Sequence, residues 1–132
     1  MIAPAPDPVG PGQESVWRYP RPAIAEPCPA HIVIEHRGIR IADTRTAVRV
    51  LETSPPPNYY IAPKDIADGV LRPAGGSSLC EWKGRARYWD VAVAGAVLAR
   101  AGWSYPDPSP AFAILRDHVA FYAAPFDRCV VD

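Results

Sequence analysis

The chain has 132 residues, with 14 Lys and Arg balanced by 14 Asp and Glu and a pI near 6.8. That length supplies one domain around one core, and zero net charge leaves no positive surplus to hold nucleic acid or an anionic membrane, so neither is expected as a partner. No apolar run approaches the roughly 20 residues that span a bilayer, the first residues lack the basic and apolar regions of a secretory leader, and three widely spaced cysteines, 28, 80 and 129, read as reduced thiols, so a cytoplasmic location is expected.

Residues 1–14 hold four prolines and two glycines and almost nothing to bury, which predicts a disordered proline-rich arm ahead of a single domain over 15–132. Residues 15–30 place Trp17, Tyr19 and Ile24 among prolines. Such a segment cannot be a helix and is predicted to lie extended along the surface or edge of the domain. Then 31–36 and 39–44, either side of Arg37-Gly38, predict a tight hairpin, with Ile32 and Ile34 sharing a face, as do Ile39 and Ile41. Residues 47–53 predict a strand that breaks at Pro55-Pro56-Pro57, a stiff connector rather than a polyproline ligand. Residues 59–61 predict a short strand that stops at Pro63.

Residues 64–71 predict one or two helical turns with Ile66, Val70 and Leu71 inward, and 72–76 a loop. Residues 86–93 and 96–105 predict paired strands around Gly95. Ser109 can cap a helix and Pro110 suits its first position, so a short helix to about Asp117 should bury Phe112 and Leu115. Two last strands, 119–123 and 128–131, complete an antiparallel, mainly β domain of seven to nine strands with no βαβ rhythm.

The stretch Ser77–Tyr88 gathers Cys80, Trp82, Lys83 and Gly84, with Trp89 next and Trp103 and Tyr105 one hairpin later. Trp and Tyr combine large apolar area with a polar tip, which suits a pocket for a planar or cationic small ligand. Tyr60, Trp82, Trp103 and Tyr105 are the expected walls, with Lys83 and Cys80 at the mouth. Lys83 and Arg45 could supply an anion contact. Strand alternation sends Tyr88 and Trp89 to opposite faces, and which of them shares the pocket stays open. The competing reading is that these rings fill a core thin in Leu and Met.

Three chemistries compete. Cys80 could be a nucleophile, since Lys83, Arg85 and Arg87 are close in sequence and His118 could approach in space, although buried thiols are more often structural. A zinc site would start from Cys28-x-x-His31 and require Cys80, Cys129 and His118 to converge; ordinary thiols are the preferred reading, and no metal or cofactor is expected. Nucleotidyl transfer wants carboxylates two apart on one strand to hold metal ions. No Asp/Glu pair has that spacing, so Gly75-Gly76-Ser77-Ser78 reads as a turn.

The order and spacing of IADT, RVLET, PPNYYIAPKDI, LCEWKGRARYWDV and AGWSYPDPSPAFAILRDHVAFY resemble the Domain of Unknown Function 427 family from about residue 15 to the C-terminus. Two departures are Glu81, where the family usually has proline after the cysteine, and the chain's end at Asp132, where many members carry a glycine-rich extension. The resemblance implies a small antiparallel two-sheet, β-tent-like domain with one or two short helices. A nucleotidyltransferase-like label also attaches to the family, and the missing carboxylate pair argues against it here. The expected function is small-molecule binding in the aromatic pocket; the alternative is a reductase-like or transferase-like enzyme using Cys80 or a bound metal. A neutral chain resists self-association poorly, so a homodimer is a further expected partner state.

Overall fold

The computed structural model describes residues 24–51, 58–80 and 83–132. The expected arm, Trp17, Tyr19, the proline triplet, Glu81 and Trp82 lie outside the described residues. Within them the chain forms β1 (Ile24–Cys28), β2 (Ile32–His36), β3 (Ile39–Thr44), β4 (Ala47–Leu51), β5 (Asn58–Ile61), β6 (Leu71–Cys80), β7 (Gly84–Val93), β8 (Ala96–Ser104), β9 (Val119–Phe121) and β10 (Arg128–Val131). Two 3-10 segments, Pro63–Asp65 and Pro110–Leu115, are the helical content of the described residues. Among the described residues no helix is long and apolar enough to cross a membrane.

The strands make two antiparallel sheets. The large sheet runs β1-β4-β5-β9-β8-β7-β6 and the small one β10-β2-β3. The hairpin turns at Arg37-Gly38 (φ 50° and 77°) and Ala94-Gly95 (φ 50° and 79°) are left-handed at both central residues. That geometry matches the right-handed twist of the strands it joins. The proline-punctuated segment 24–28 does lie extended along an edge: β1 is the outermost strand of the large sheet, where Pro27 costs no ladder bond on its open side.

Period-2 alternation gives the large sheet two apolar faces. One packs on the small sheet through Ile61, Val91, Ala101 and Val119 against Ile32, Ile34 and Ile41. The other carries Val48, Val50, Tyr60, Ala86 and Ala120 and is roofed by Phe112 and Leu115 of the second 3-10 segment. This outer face holds the aromatic cluster described below.

Residues 72–76 are not a loop but part of β6, which pairs with β7 along its length apart from a bulge between Pro73 and Ser77. Pro73 still pairs with Trp89, and the bulge after it takes up Ala74 and the two glycines without ending the strand. The turn expected over 64–71 is only Pro63–Asp65, because the Ala92 N–H already bonds the Val70 carbonyl (2.8 Å) and draws the chain into the sheet. Ile66 and Val70 are buried as expected, and Leu71 is half-buried. Ile39 is exposed while Ile41 is fully buried, because Ile39 pairs with His36 beside the hairpin turn. The helix expected to reach Asp117 is a 3-10 segment ending at Leu115, broken at Phe112 (φ −119°), and the Ser109 side chain makes no capping bond to it.

Asp65 ties the first 3-10 segment to β3. Its carboxylate accepts from the buried Thr44 hydroxyl (2.7 Å) and from Thr46 (3.2 Å). The Thr44 hydroxyl, with Lys64 and Thr46, holds the Asp65 carboxyl below its ordinary value of 3.8. Asp65→Ala is expected to cost about 1 kcal/mol at neutral pH, the net worth of such a bond. Because the folded-state value is depressed, this contribution is complete above the ordinary carboxylate range and is lost as pH falls through the lower folded value. Urea unfolding of both proteins at pH 7 and pH 3 checks this, and a gap that widens on acidification would refute it.

Candidate functional site

The outer face of the large sheet brings its aromatics together by register. Tyr88 of β7 lies directly opposite Trp103 of β8, so both side chains share one face. The Trp103 indole N–H donates to the Tyr60 hydroxyl of β5 (3.0 Å), and the two rings meet edge to face at 6.1 Å. Tyr105 lies 6.2 Å from Tyr60, and Tyr122 lies 4.5 Å from Trp103. The Tyr88 hydroxyl donates to Ser78 of β6 (2.9 Å), and the Arg100 guanidinium stacks on the Tyr88 ring at 4.7 Å while bonding the Gly75 carbonyl. These contacts fix the rings from several strands, a preorganised surface rather than a loose one.

Between them lies a cleft of about 220 Å³, lined by Asn58, Tyr60, Ser78, Lys83, Ala86, Tyr88, Trp103, Tyr105 and Tyr122. Lys83 enters it from the β6–β7 turn. The Ser109 N–H bonds the Lys83 carbonyl (3.0 Å), which lays residues 106–109 over the end of the hairpin. Gly84 follows at φ +111°, where an added Cβ would stand 3.2 Å from the Asp107 carbonyl oxygen. The close approach therefore needs glycine. The Lys83 ammonium lies 5.8 Å from the centre of the Tyr105 ring, within range of a cation–π contact.

Of the expected site residues, Tyr60, Lys83, Trp103 and Tyr105 come together in this cleft. Lys83 is not at the mouth: it is 4% exposed, because the loop over the hairpin covers it. Cys80 is half-buried and packs on the outer-face core behind the cleft instead of lining it. Trp82 lies outside the described residues. Tyr88 takes the cleft face. Trp89 takes the opposite one, donating from its indole to Ser104 (2.8 Å) under the Arg87 guanidinium and packing toward the inter-sheet core. Arg45 is on the other sheet's side of the molecule, bonded to His31 Nδ1 (3.3 Å). It supplies no anion contact at the cleft.

The catalytic and zinc candidates stay apart. His31 donates from Nε2 to Asp43 (2.7 Å), and that bond, with Arg40, holds the Asp43 carboxyl below its ordinary range. The His118 ring bonds the Arg116 carbonyl (3.0 Å). Cys28 is buried under the β1–β4 edge, while Cys129 is exposed on its edge strand and lines the groove between the sheets, where partial burial pushes its thiol up. Among the described residues no group of three or more His, Cys, Asp or Glu is placed to hold a metal ion.

Sequence reasoning missed Asn58, Ser78 and Tyr122. Ser78 is two residues before Cys80, hence on the same strand face, a signal that shows only when 71–80 is one strand. Tyr122 is two residues after Ala120, so alternation along the expected strand 119–123 already places it on the outer face, although the observed β9 stops at Phe121.

Residues 24–132 match the family model described as a domain of unknown function (DUF427). No curated protein matches the chain.

Proposed function

The chain belongs to the DUF427 family of domains of unknown function, and we propose that its outer-face cleft binds a small planar anion. One observation carries this reading. The described residues lining the cleft bring the Lys83 ammonium, the Ser78 and Tyr122 hydroxyls and the Asn58 amide beside the rings of Tyr60, Tyr88, Trp103 and Tyr105, and include no carboxylate. Such a wall offers donors to an anion, and its ring faces offer stacking to a flat one. Ligand sites combine apolar or aromatic walls with a few convergent polar groups in this way. The family description assigns no reaction, and binding without chemistry is what the arrangement supports best.

The test compares benzoate with its uncharged isostere benzamide by calorimetry, on the wild type and on Lys83→Met. Met keeps the length of the buried side chain, so circular dichroism should show a folded variant. Benzoate is expected to bind saturably and benzamide at least about tenfold more weakly. Lys83→Met should cost benzoate a similar factor, the usual worth of a charge-assisted bond. Equal binding of the two compounds, or indifference to Lys83→Met, would overturn the reading.

The enzyme alternative makes a different demand. A catalytic Cys80 needs a base or cation at its sulfur, and among the described residues no side chain hydrogen-bonds the Cys80 thiol. Iodoacetamide at pH 7 is expected to label Cys80 no faster than an unfolded control peptide. Labelling ten times faster than the peptide would favour the enzyme.

A further inference from the structure

The large sheet is split along one line. β5 spans Asn58–Ile61 and β9 spans Val119–Phe121, yet they pair only at Tyr60 with Ala120 and Ile61 with Val119. Beyond that point the strands part. The Tyr122 N–H still bonds the Ala101 carbonyl (2.9 Å), so this segment stays with β8 while Asn58 stays with β4. The gap has a cavity on each side. The polar cleft is on the outer face. On the inner face, between the sheets, lies a groove of about 390 Å³ walled by Ile32, Ile34, Ile61, Phe121, Cys129 and Val131. Asn58, Trp103 and Tyr122 line both.

We propose that cleft and groove are two ends of one site for an anionic amphiphile, a free medium-chain carboxylate whose head lies at Lys83 and whose unbranched tail passes between Asn58 and Tyr122 into the groove. The proposal rests on the anion reading of the cleft. It accounts for an open apolar groove that shares Asn58, Trp103 and Tyr122 with the donor-lined cleft. Cys129 lies opposite Ile34 and Val131 opposite Ile32, so β10 adds its side chains to the same groove wall. A charged head has no counterpart among these walls, and an alkyl tail has none among the donors around Lys83. Only a ligand with both ends matches both lining sets. Together the two spaces fall inside the range of about 300–1,000 Å³ typical of small-ligand sites. Tyr122, the ring on the open side of the gap, is exposed, and its 4.5 Å contact with Trp103 must open for the tail to pass.

The test is calorimetry with straight-chain carboxylates from butyrate to decanoate, kept below their micelle-forming concentrations, on wild type, Lys83→Met and Cys129→Trp. Cys129 is exposed on an edge strand, so Trp there should fill the groove mouth without unfolding the protein. Affinity is expected to rise about fourfold per added methylene, to fall at least tenfold at every length in Lys83→Met, and to lose its length dependence in Cys129→Trp while butyrate binding is kept. If benzoate and butyrate bind but added methylenes change nothing, the anion cleft stands and the two-ended site is overturned. If no carboxylate binds at any length, both readings fall. Long chains that bind equally well to Lys83→Met would leave the head without its place and overturn the proposal. A dimer in sedimentation that Cys129→Trp converts to monomer, with no chain-length effect, would mean that a second copy fills the groove, and would overturn it too.

Discussion

Leu115→Ala is expected to destabilise the protein by about 2–5 kcal/mol, the range for emptying a fully buried Leu position. Leu115 is fully buried at the end of the Pro110–Leu115 segment and shares the outer-face core with Tyr60, Tyr105 and Phe112. The Arg116 N–H bonds Ala113 and the His118 N–H bonds Leu115, so the backbone there is tied and the roof cannot simply settle into the hole. The cavity would open beside Tyr60, whose hydroxyl accepts the Trp103 indole N–H. Neighbouring Ile114 is exposed, so Ile114→Ala should change stability by less than about 0.5 kcal/mol. Urea unfolding should show Leu115→Ala with a lower midpoint and an unchanged slope. Equal effects at 114 and 115 would mean that the segment does not roof the core.

Gly84→Val is expected to cost at least about 3 kcal/mol, the top of the range for a residue held in a strained backbone conformation. Two effects add at this position. Its φ of +111° is one that a β-branched residue does not tolerate, and a Cβ there meets backbone, the Asp107 carbonyl oxygen at 3.2 Å, with Pro108 and Ser109 close behind. The neighbouring Ser109–Lys83 backbone bond would be lost as the loop moves away. Lys83 would then become exposed, so the variant should lose anion binding as well as stability. Gly38→Val serves as the comparison: it also has positive φ, but nothing lies within 4 Å of an added Cβ. Thermal unfolding should rank Gly84→Val below Gly38→Val, and the reverse order would show that the loop contact carries no weight.

The strands were the most legible part of the sequence, and the physical reason is local. β2, β3, β4, β7 and β8 carry β-branched or aromatic residues at period 2 between turn residues whose left-handed backbone the hairpins require. β6 was illegible between Arg72 and Gly76 because proline and paired glycines usually end strands, and only the partner β7 and a bulge keep them paired. The site was half legible. Tyr60, Trp103 and Tyr105 could be gathered by alternation and by their bulk, and Lys83 by its neighbours in sequence. Its burial could not, since that depends on a long-range backbone bond from Ser109. Cys80 was misplaced for a similar reason: with the end of β6 paired to Gly84, the thiol points onto the core behind the cleft. The parting of β5 and β9 leaves no trace in composition at all. It follows from where two short ladders stop.

The most direct test of the cleft is the indole region of the nitrogen–proton spectrum during a titration with benzoate. Trp103 and Trp89 report from opposite faces of the large sheet, one bonded to Tyr60 in the cleft and the other to Ser104 away from it. Trp103→Phe and Trp89→Phe assign the two signals. The Trp103 signal should shift saturably while the Trp89 signal stays in place, and the shift should disappear in Lys83→Met. A Trp103 signal that does not move, or one that moves equally in Lys83→Met, would contradict an anion site built on Lys83 and the outer-face rings.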